Sequence, residues 1–218
     1  MEAPPRRAPH LTLHKTRFDR ARRSEMKFVT LAAAAVAATA LSASAAAAQD
    51  ANWYVRGDIG GNFNSRIDGS PSVKGDNGWA LSGAVGREVM DGVRVEEEIT
   101  YLQSDGKNGS SGKLETTAGL VNAYYDFNRQ GAWRPFVGAG LGVGQVKIDG
   151  GPNSGDDTGF AYQFKVGLAH PINDRLTAEV AYRYLGVTGV RLGAAPGGIH
   201  GDYTDQAATV GLRYKFGL

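Results

Sequence analysis

The sequence predicts an all-β fold, an eight-stranded antiparallel up-and-down transmembrane β-barrel that follows a cleaved N-terminal signal peptide. Three observations predict it. Apolar and polar residues alternate with period two in eight segments separated by clusters of Gly, Asn, Asp, Ser and Pro. The connections between the segments alternate between long polar stretches and short turns. The two faces that the alternation defines also differ in kind: one is aromatic and aliphatic, the other charged and glycine-rich.

The first 48 residues differ in character from the rest and hold eight of the 24 Lys and Arg. Residues 1–25 show no apolar periodicity and read as an over-extended start, with Met26 as the expected initiator. Met26-Lys27, an uncharged Ala-rich run and small residues at Ala46 and Ala48 make 26–48 a secretory signal with cleavage after Ala48. A permanent transmembrane helix is the competing reading, but the run is mostly weakly apolar alanine. Residues 49–218, the barrel domain, then carry 16 basic and 19 acidic side chains, so nucleic acid is not an expected partner. The absence of cysteine from all 218 residues excludes a disulfide framework, a thiol nucleophile and a thiolate metal site. An exported domain of this kind needs another source of stability, and a closed hydrogen-bonded barrel supplies one.

The segments follow in order. Segment 53–63 sets Trp53, Val55, Ile59 and Phe63 against Tyr54, Arg56, Asp58 and Asn62. Segment 79–88 sets Trp79, Leu81 and Val85 against Ser82 and Glu88. Segment 93–102 opposes Val95, Ile99 and Tyr101 to Arg94, Glu96 and Glu98, and segment 116–127 opposes Val121, Tyr125 and Phe127 to Asn122 and Asp126. In 134–144 the pair is Val137, Leu141 and Val143 against Arg134, Gly138, Gly140 and Gly142. In 160–169 it is Phe160, Tyr162 and Phe164 against Gln163 and Lys165. Segment 176–184 gives Val180, Tyr182 and Tyr184 against Glu179 and Arg183, and 207–216 gives Leu212, Tyr214 and Phe216 against Arg213 and Lys215. A strand sends successive side chains to opposite faces, so each segment has one face for lipid or core and one for the other side.

The long connections are 64–78, 104–113, 149–158 and 189–204; the short ones are 90–92, 128–132 and 171–174. Long loops outside and tight turns in the periplasm are the asymmetry of outer-membrane barrels, and an even strand number returns both termini to the periplasmic side.

A soluble lipocalin-like ligand carrier also alternates, with its apolar face inside. An eight-stranded barrel is only just wide enough to be filled by side chains, and this many aromatics do not fit within it. They also gather at strand ends, Trp53, Tyr125, Phe127, Tyr214 and Phe216 at one rim and Phe63, Trp79, Tyr101, Phe160 and Tyr184 at the other, as interfacial girdles do. The lumen then receives Arg56, Asp58, Glu88, Arg94, Glu96, Glu98, Asp126, Arg134, Lys165, Glu179, Arg183, Arg213 and Lys215. Buried charges are tolerated when paired, so these thirteen are expected to form an ion-pair network that plugs the barrel, with glycine making room for long side chains from the opposite wall. Glu97 falls on the apolar face, and a bulge in VEEEIT that turns it inward is the expected remedy.

NAYYDF (122–127), WRPFVGAGLG (133–142), AYRYLG (181–186) and VGLRYKF (210–216) resemble the small outer-membrane β-barrel family of Gram-negative bacteria, the opacity-protein-like porin family related to the barrel domain of outer membrane protein A. The resemblance covers 51–216 and rests on the order and spacing of the motifs. It implies an envelope component acting as a structural protein, surface antigen, adhesin or narrow pore; no peptidoglycan-binding domain is expected, because the chain ends two residues after the last strand. It also implies lipid and lipopolysaccharide as surroundings and the barrel assembly machinery as a partner. That machinery reads a terminal aromatic, and here Phe216 is followed by Gly217 and Leu218.

Catalysis is not expected. A nucleophilic site needs a Ser with a His base and an orienting carboxylate, and His170 and His200 have no Ser two residues away in a strand. Asp149, Asn153, Asp156 and Asp157 are hard-oxygen residues without EF-hand spacing and read as a solvated loop. No cofactor is expected. Two functions remain: a structural or surface-interaction protein whose outer loops meet an extracellular ligand, and a narrow diffusion pore for small solutes.

Overall fold

A computed structural model describes residues 52–69, 73–106, 113–149, 154–192 and 199–216. The start and the signal expected over 1–48 lie outside these residues. The chain forms β1 (Trp53–Gly69), β2 (Val73–Met90), β3 (Val93–Gly106), β4 (Lys113–Asp126), β5 (Arg134–Asp149), β6 (Gly155–Pro171), β7 (Leu176–Leu192) and β8 (Ile199–Lys215). Each pairs antiparallel with its neighbour in sequence and β8 pairs with β1, so the barrel closes in chain order. Closure pairs the strand backbones with one another, which hydrocarbon requires.

The periplasmic connections are tight. Asp91 and Gly92 turn between β2 and β3, with Gly92 at a φ of 77° that glycine adopts without strain. Before β7 the side-chain carbonyl of Asn173 accepts the backbone N–H groups of Arg175 and Leu176 at 2.9 and 2.8 Å, fixing the turn locally.

The opposite end departs from expectation. Most of the residues expected in long outer loops continue the strands: 64–69 belong to β1, 73–78 to β2, 155–158 to β6 and 199–204 to β8. The reason is a change of surroundings along each strand. Between the girdles the outward residues are apolar apart from Glu97, with Ile59, Leu81, Val121, Leu141 and Val210 among them. Beyond the outer girdle the outward positions are polar, and the apolar residues Ile67, Leu114, Val146, Val187 and Leu192 point inward instead. Two bulges contribute to the change of phase. The β1–β8 register shifts between Phe63 and Arg66 around Asn64 at φ 62°, and the β7–β8 register shifts between Val187 and Val190 around Gly189 at φ 73°. From Trp53 to Phe63 a tilted strand spans about 25 Å, the height of an outer-membrane apolar band. The extensions carry the barrel roughly 15 Å further outward at about 3.3 Å per residue.

The interior has two layers. The outer layer is an apolar core of Ile67, Leu102, Leu114, Val146, Val187 and Tyr203 with their neighbours. The inner layer, between the girdles, is charged.

Candidate functional site

The charged layer is built from inward positions of the strands, and Glu98 on β3 is its hub. It is fully buried, and its Oε2 lies 2.9 Å from Arg56 Nη2, 3.1 Å from Lys165 Nζ, 3.1 Å from Asn122 Nδ2 and 3.1 Å from Gln163 Nε2. Its Oε1 faces Arg183 Nη1 at 3.5 Å. One carboxylate thus ties β3 to β1, β4, β6 and β7. Glu96 accepts from Arg56 Nη2 at 2.9 Å and from the Tyr54 hydroxyl at 2.9 Å, and also pairs with Arg94. Arg94 turns its Nε to Asp126 at 3.1 Å and lays its guanidinium over the ring of Tyr124, 4.1 Å from the centroid. Arg213 Nε lies 3.1 Å from Glu179, and Lys165 Nζ lies 3.8 Å from Asp58, which also pairs with Arg56. Arg183 donates to Ser82 at 2.9 Å and to Thr100 at 2.6 Å, at the boundary with the apolar layer.

Three of the thirteen expected charges stand outside this network. Glu88 and Lys215 form their own pair at the periplasmic mouth, 2.9 Å apart. Arg134 faces inward at the first residue of β5, but its Nε donates to the Gly131 carbonyl at 3.3 Å and it joins no ion pair among the described residues. Arg134 is the first residue of its strand and lines a basin at the barrel mouth, away from the carboxylates of the charged layer.

Glycine acts differently from expectation. At Gly86 and Gly138 the space is filled by the facing residue of the adjacent strand, not by the opposite wall. A Cβ on Gly86 would meet the Tyr54 ring at 2.4 Å, and one on Gly138 would meet the Tyr124 ring at 2.1 Å. Both pairs are directly opposed in the ladders.

Glu97 corrects another expectation. It pairs in unbroken register with Val85 and Val121, no bulge intervenes, and it faces outward in a half-exposed position. The unbroken ladder keeps Glu96 and Glu98 inside, and shifting one residue would turn both out. Arg87 also faces outward; it lies opposite Val95, a diagonal neighbour of Glu97, with its guanidinium 5.8 Å from the Trp53 ring centroid.

The aromatics form two outward belts. Trp79 meets Tyr101 at 5.2 Å between ring centroids in the outer belt, which Phe63, Phe160 and Tyr184 continue. Tyr125 meets Phe127 at 4.7 Å and Tyr214 meets Phe216 at 5.7 Å in the periplasmic belt, beside Trp53. Trp133, in the turn before β5, joins the periplasmic belt and was not singled out by alternation because it precedes its strand; its ring lies 4.8 Å from that of His170. Asp156 and Asp157 lie on β6, where they accept hydrogen bonds from Gln145 and from the Arg191 backbone at 3.1 and 2.6 Å. Asn153 lies outside the described residues.

The network leaves little free volume. A void of about 10 Å³ sits among Arg56, Asp58, Tyr124, Lys165 and Glu179, room for about one water. Below it a basin of about 360 Å³ opens toward the periplasm. The lumen therefore carries a charged plug beneath an apolar one.

An apolar band between two aromatic belts, around a charged and filled interior, defines a small transmembrane barrel. Residues 33–216 match the family described as outer membrane protein beta-barrel domain, and the chain belongs to it. The protein is a component of the outer membrane. An uncharacterized protein of Brucella abortus is 26% identical over 198 residues, covering 64% of this chain and 69% of its own. A candidate adhesin of Rickettsia bellii is 28% identical over 189 residues, covering 73% and 82%. The crystal structure of Neisserial surface protein A has the same fold, with a TM-score of 0.57 at 19% identity, covering 75% of this chain and 97% of that one.

Proposed function

We propose that this barrel is a non-enzymatic surface-interaction protein, a rigid post that holds its outer connections above the membrane for an extracellular ligand. The observation that carries the reading is the outer extension: strands that leave the bilayer stay paired, keep an apolar core and turn polar side chains such as Arg66, Glu115, Lys147 and Asp202 outward. A pore has no need of an apolar plug at its outer end; a platform does. The similarity to a candidate adhesin supports the same role.

Two further points support a role without catalysis. His170 is held at the periplasmic rim by the Ala132 carbonyl, 2.8 Å from its Nδ1, and by Trp133, with no hydroxyl nucleophile within hydrogen-bond distance among the described residues. The carboxylates of the charged layer are occupied by Arg and Lys, the buried Asp205 of the outer layer accepts from Asn62 and Ser65, and no group of His, Cys, Asp or Glu among the described residues is arranged to hold a metal ion. The belts meet lipopolysaccharide outside and phospholipid inside, and the alternation that ends in Tyr214 and Phe216 presents the strand that the assembly machinery reads.

Bacteria displaying the barrel, and a version with 107–112, 150–153 and 193–198 replaced by short Gly-Ser turns, test this on cultured cells and immobilised matrix proteins. Attachment that falls to background with the replaced connections, while the folded barrel persists in the membrane, is the expected result. Attachment equal to that of cells lacking the barrel in both versions would remove the role.

A further inference from the structure

The basic side chains of the charged layer are all paired, and the unpaired ones that line the lumen meet at the periplasmic mouth. Arg56, Arg94, Lys165, Arg183 and Arg213 are matched by Asp58, Glu96, Glu98, Asp126 and Glu179. Nearer the periplasm Lys215 and Arg129 share Glu88, and Arg129 also reaches Asp91. Two guanidinium groups that line the mouth stand outside both sets, Arg134 at the head of β5 and Arg175 in the turn before β7. Neither has a carboxylate within ion-pair distance among the described residues, and both line the basin of about 360 Å³ at the periplasmic mouth. Asp174 is the one lining carboxylate not already neutralised, and it is exposed on the rim.

The geometry suits an anion. Arg134 is half-buried, and its Nε is engaged by Gly131, which fixes the guanidinium and leaves its two Nη groups to donate. A planar fork of that kind matches an oxyanion bidentately, and Arg175 supplies a second charge from the adjoining turn. Arg213 and Lys215 also line the space, each already paired with a carboxylate, so the uncompensated positive charge of the concavity is that of Arg134 and Arg175. The Thr177 side chain also borders the space and adds a hydroxyl. The basin lies inside the wall, with the outward Trp53 and Tyr214 between it and the bilayer, so its occupant arrives from the periplasm rather than from the lipid headgroups.

We propose that the periplasmic mouth binds a multiply charged oxyanion, held between Arg134 and Arg175. Phosphate and carboxylate groups share this chemistry, and two probes distinguish them: inorganic pyrophosphate and citrate. The membrane-extracted barrel in uncharged detergent is titrated with each by calorimetry, with the emission of Trp133, adjacent to Arg134, as a second signal, in about 0.1 M salt to screen loose association. Saturable binding of either probe, weakened about tenfold or more in Arg134→Gln and measurably in Arg175→Gln, is the expected result. Lys147→Gln, on the outer extension, should bind as the unaltered protein does. Tighter binding of pyrophosphate assigns a phosphate ligand, and tighter binding of citrate a carboxylate. If Arg134→Gln does not fold, as judged by the heat-dependent shift of its band on a gel, Arg134→Lys replaces it: charge without the fork should still weaken binding. No saturable signal with either probe, or wild-type affinity in the Arg134 and Arg175 variants, would overturn the proposal.

Discussion

Lys165 on β6 reaches Glu98 on β3, its Nζ 3.1 Å from Oε2, although these strands are not neighbours in the barrel. Arg56, Asn122 and Gln163 converge on the same oxygen. The contact crosses the lumen and makes the interior one connected polar network, in which each member is tolerated because the others are present.

Glu98→Gln should therefore be severe. It leaves Arg56, Lys165 and Arg183 buried with too little negative charge, and breaking a buried pair from one side costs about 3–5 kcal/mol. Urea unfolding of the barrel in vesicles should show a large drop in midpoint. The joint replacement Glu98→Leu with Lys165→Met should recover part of it. An unchanged midpoint in Glu98→Gln would show that the network does not hold the walls together.

Glu97 predicts the opposite sign. It sits one residue away but outward among Val85, Val95 and Val121. Glu97→Leu should stabilise the barrel by about 1 kcal/mol, less than the roughly 2–4 kcal/mol of a midplane basic residue. The same unfolding assay reads it, and destabilisation would mean that the carboxylate has a partner in the membrane.

Gly138→Ala tests the packing of the wall. The added Cβ would lie 2.1 Å from the Tyr124 ring, which must swing away from Arg94. A cost of about 1–3 kcal/mol is expected, and it should be largely absent in a Tyr124→Ala background, so a double-mutant cycle should return a clear coupling. Additive effects would contradict the close approach.

The filled lumen predicts electrical silence. With the space among Arg56, Asp58 and Lys165 limited to about 10 Å³ and an apolar core above the charged layer, planar bilayers containing the purified protein should show no steady current steps. Ohmic steps in the unaltered barrel, changed in Arg94→Gln or Glu96→Gln, would establish the pore reading instead.

The strands between the girdles were legible because one rule governs them. Val93 to Tyr101 alternates at every position but Glu97, and the register of β3 follows from it. The rule inverts above the membrane, where Ile67 and Val146 point inward and Arg66 and Lys147 outward, and in β1 and β7 the bulges at Asn64 and Gly189 shift the phase as well. Those stretches resemble polar loops when a single phase is assumed. The charge network was legible as a list of inward positions, but its partners were not: nothing in the sequence says that Glu98 rather than Asp58 is the hub, because partnership depends on which strands face one another across the lumen. Arg134 illustrates the same limit, being inward by parity yet held at the mouth by the turn.

The claim that the apolar face meets lipid while the charges fill the lumen is tested most directly by spin labels on β4. The chain has no cysteine, so single cysteines can be placed at each position from 113 to 125 without altering a native thiol. Oxygen accessibility should peak at 119, 121 and 123 and collapse at 118, 120, 122 and 124, while 113, 115 and 117 respond to a water-soluble relaxant instead. High oxygen accessibility at the even positions, with the odd ones shielded, would turn the barrel inside out and contradict the account.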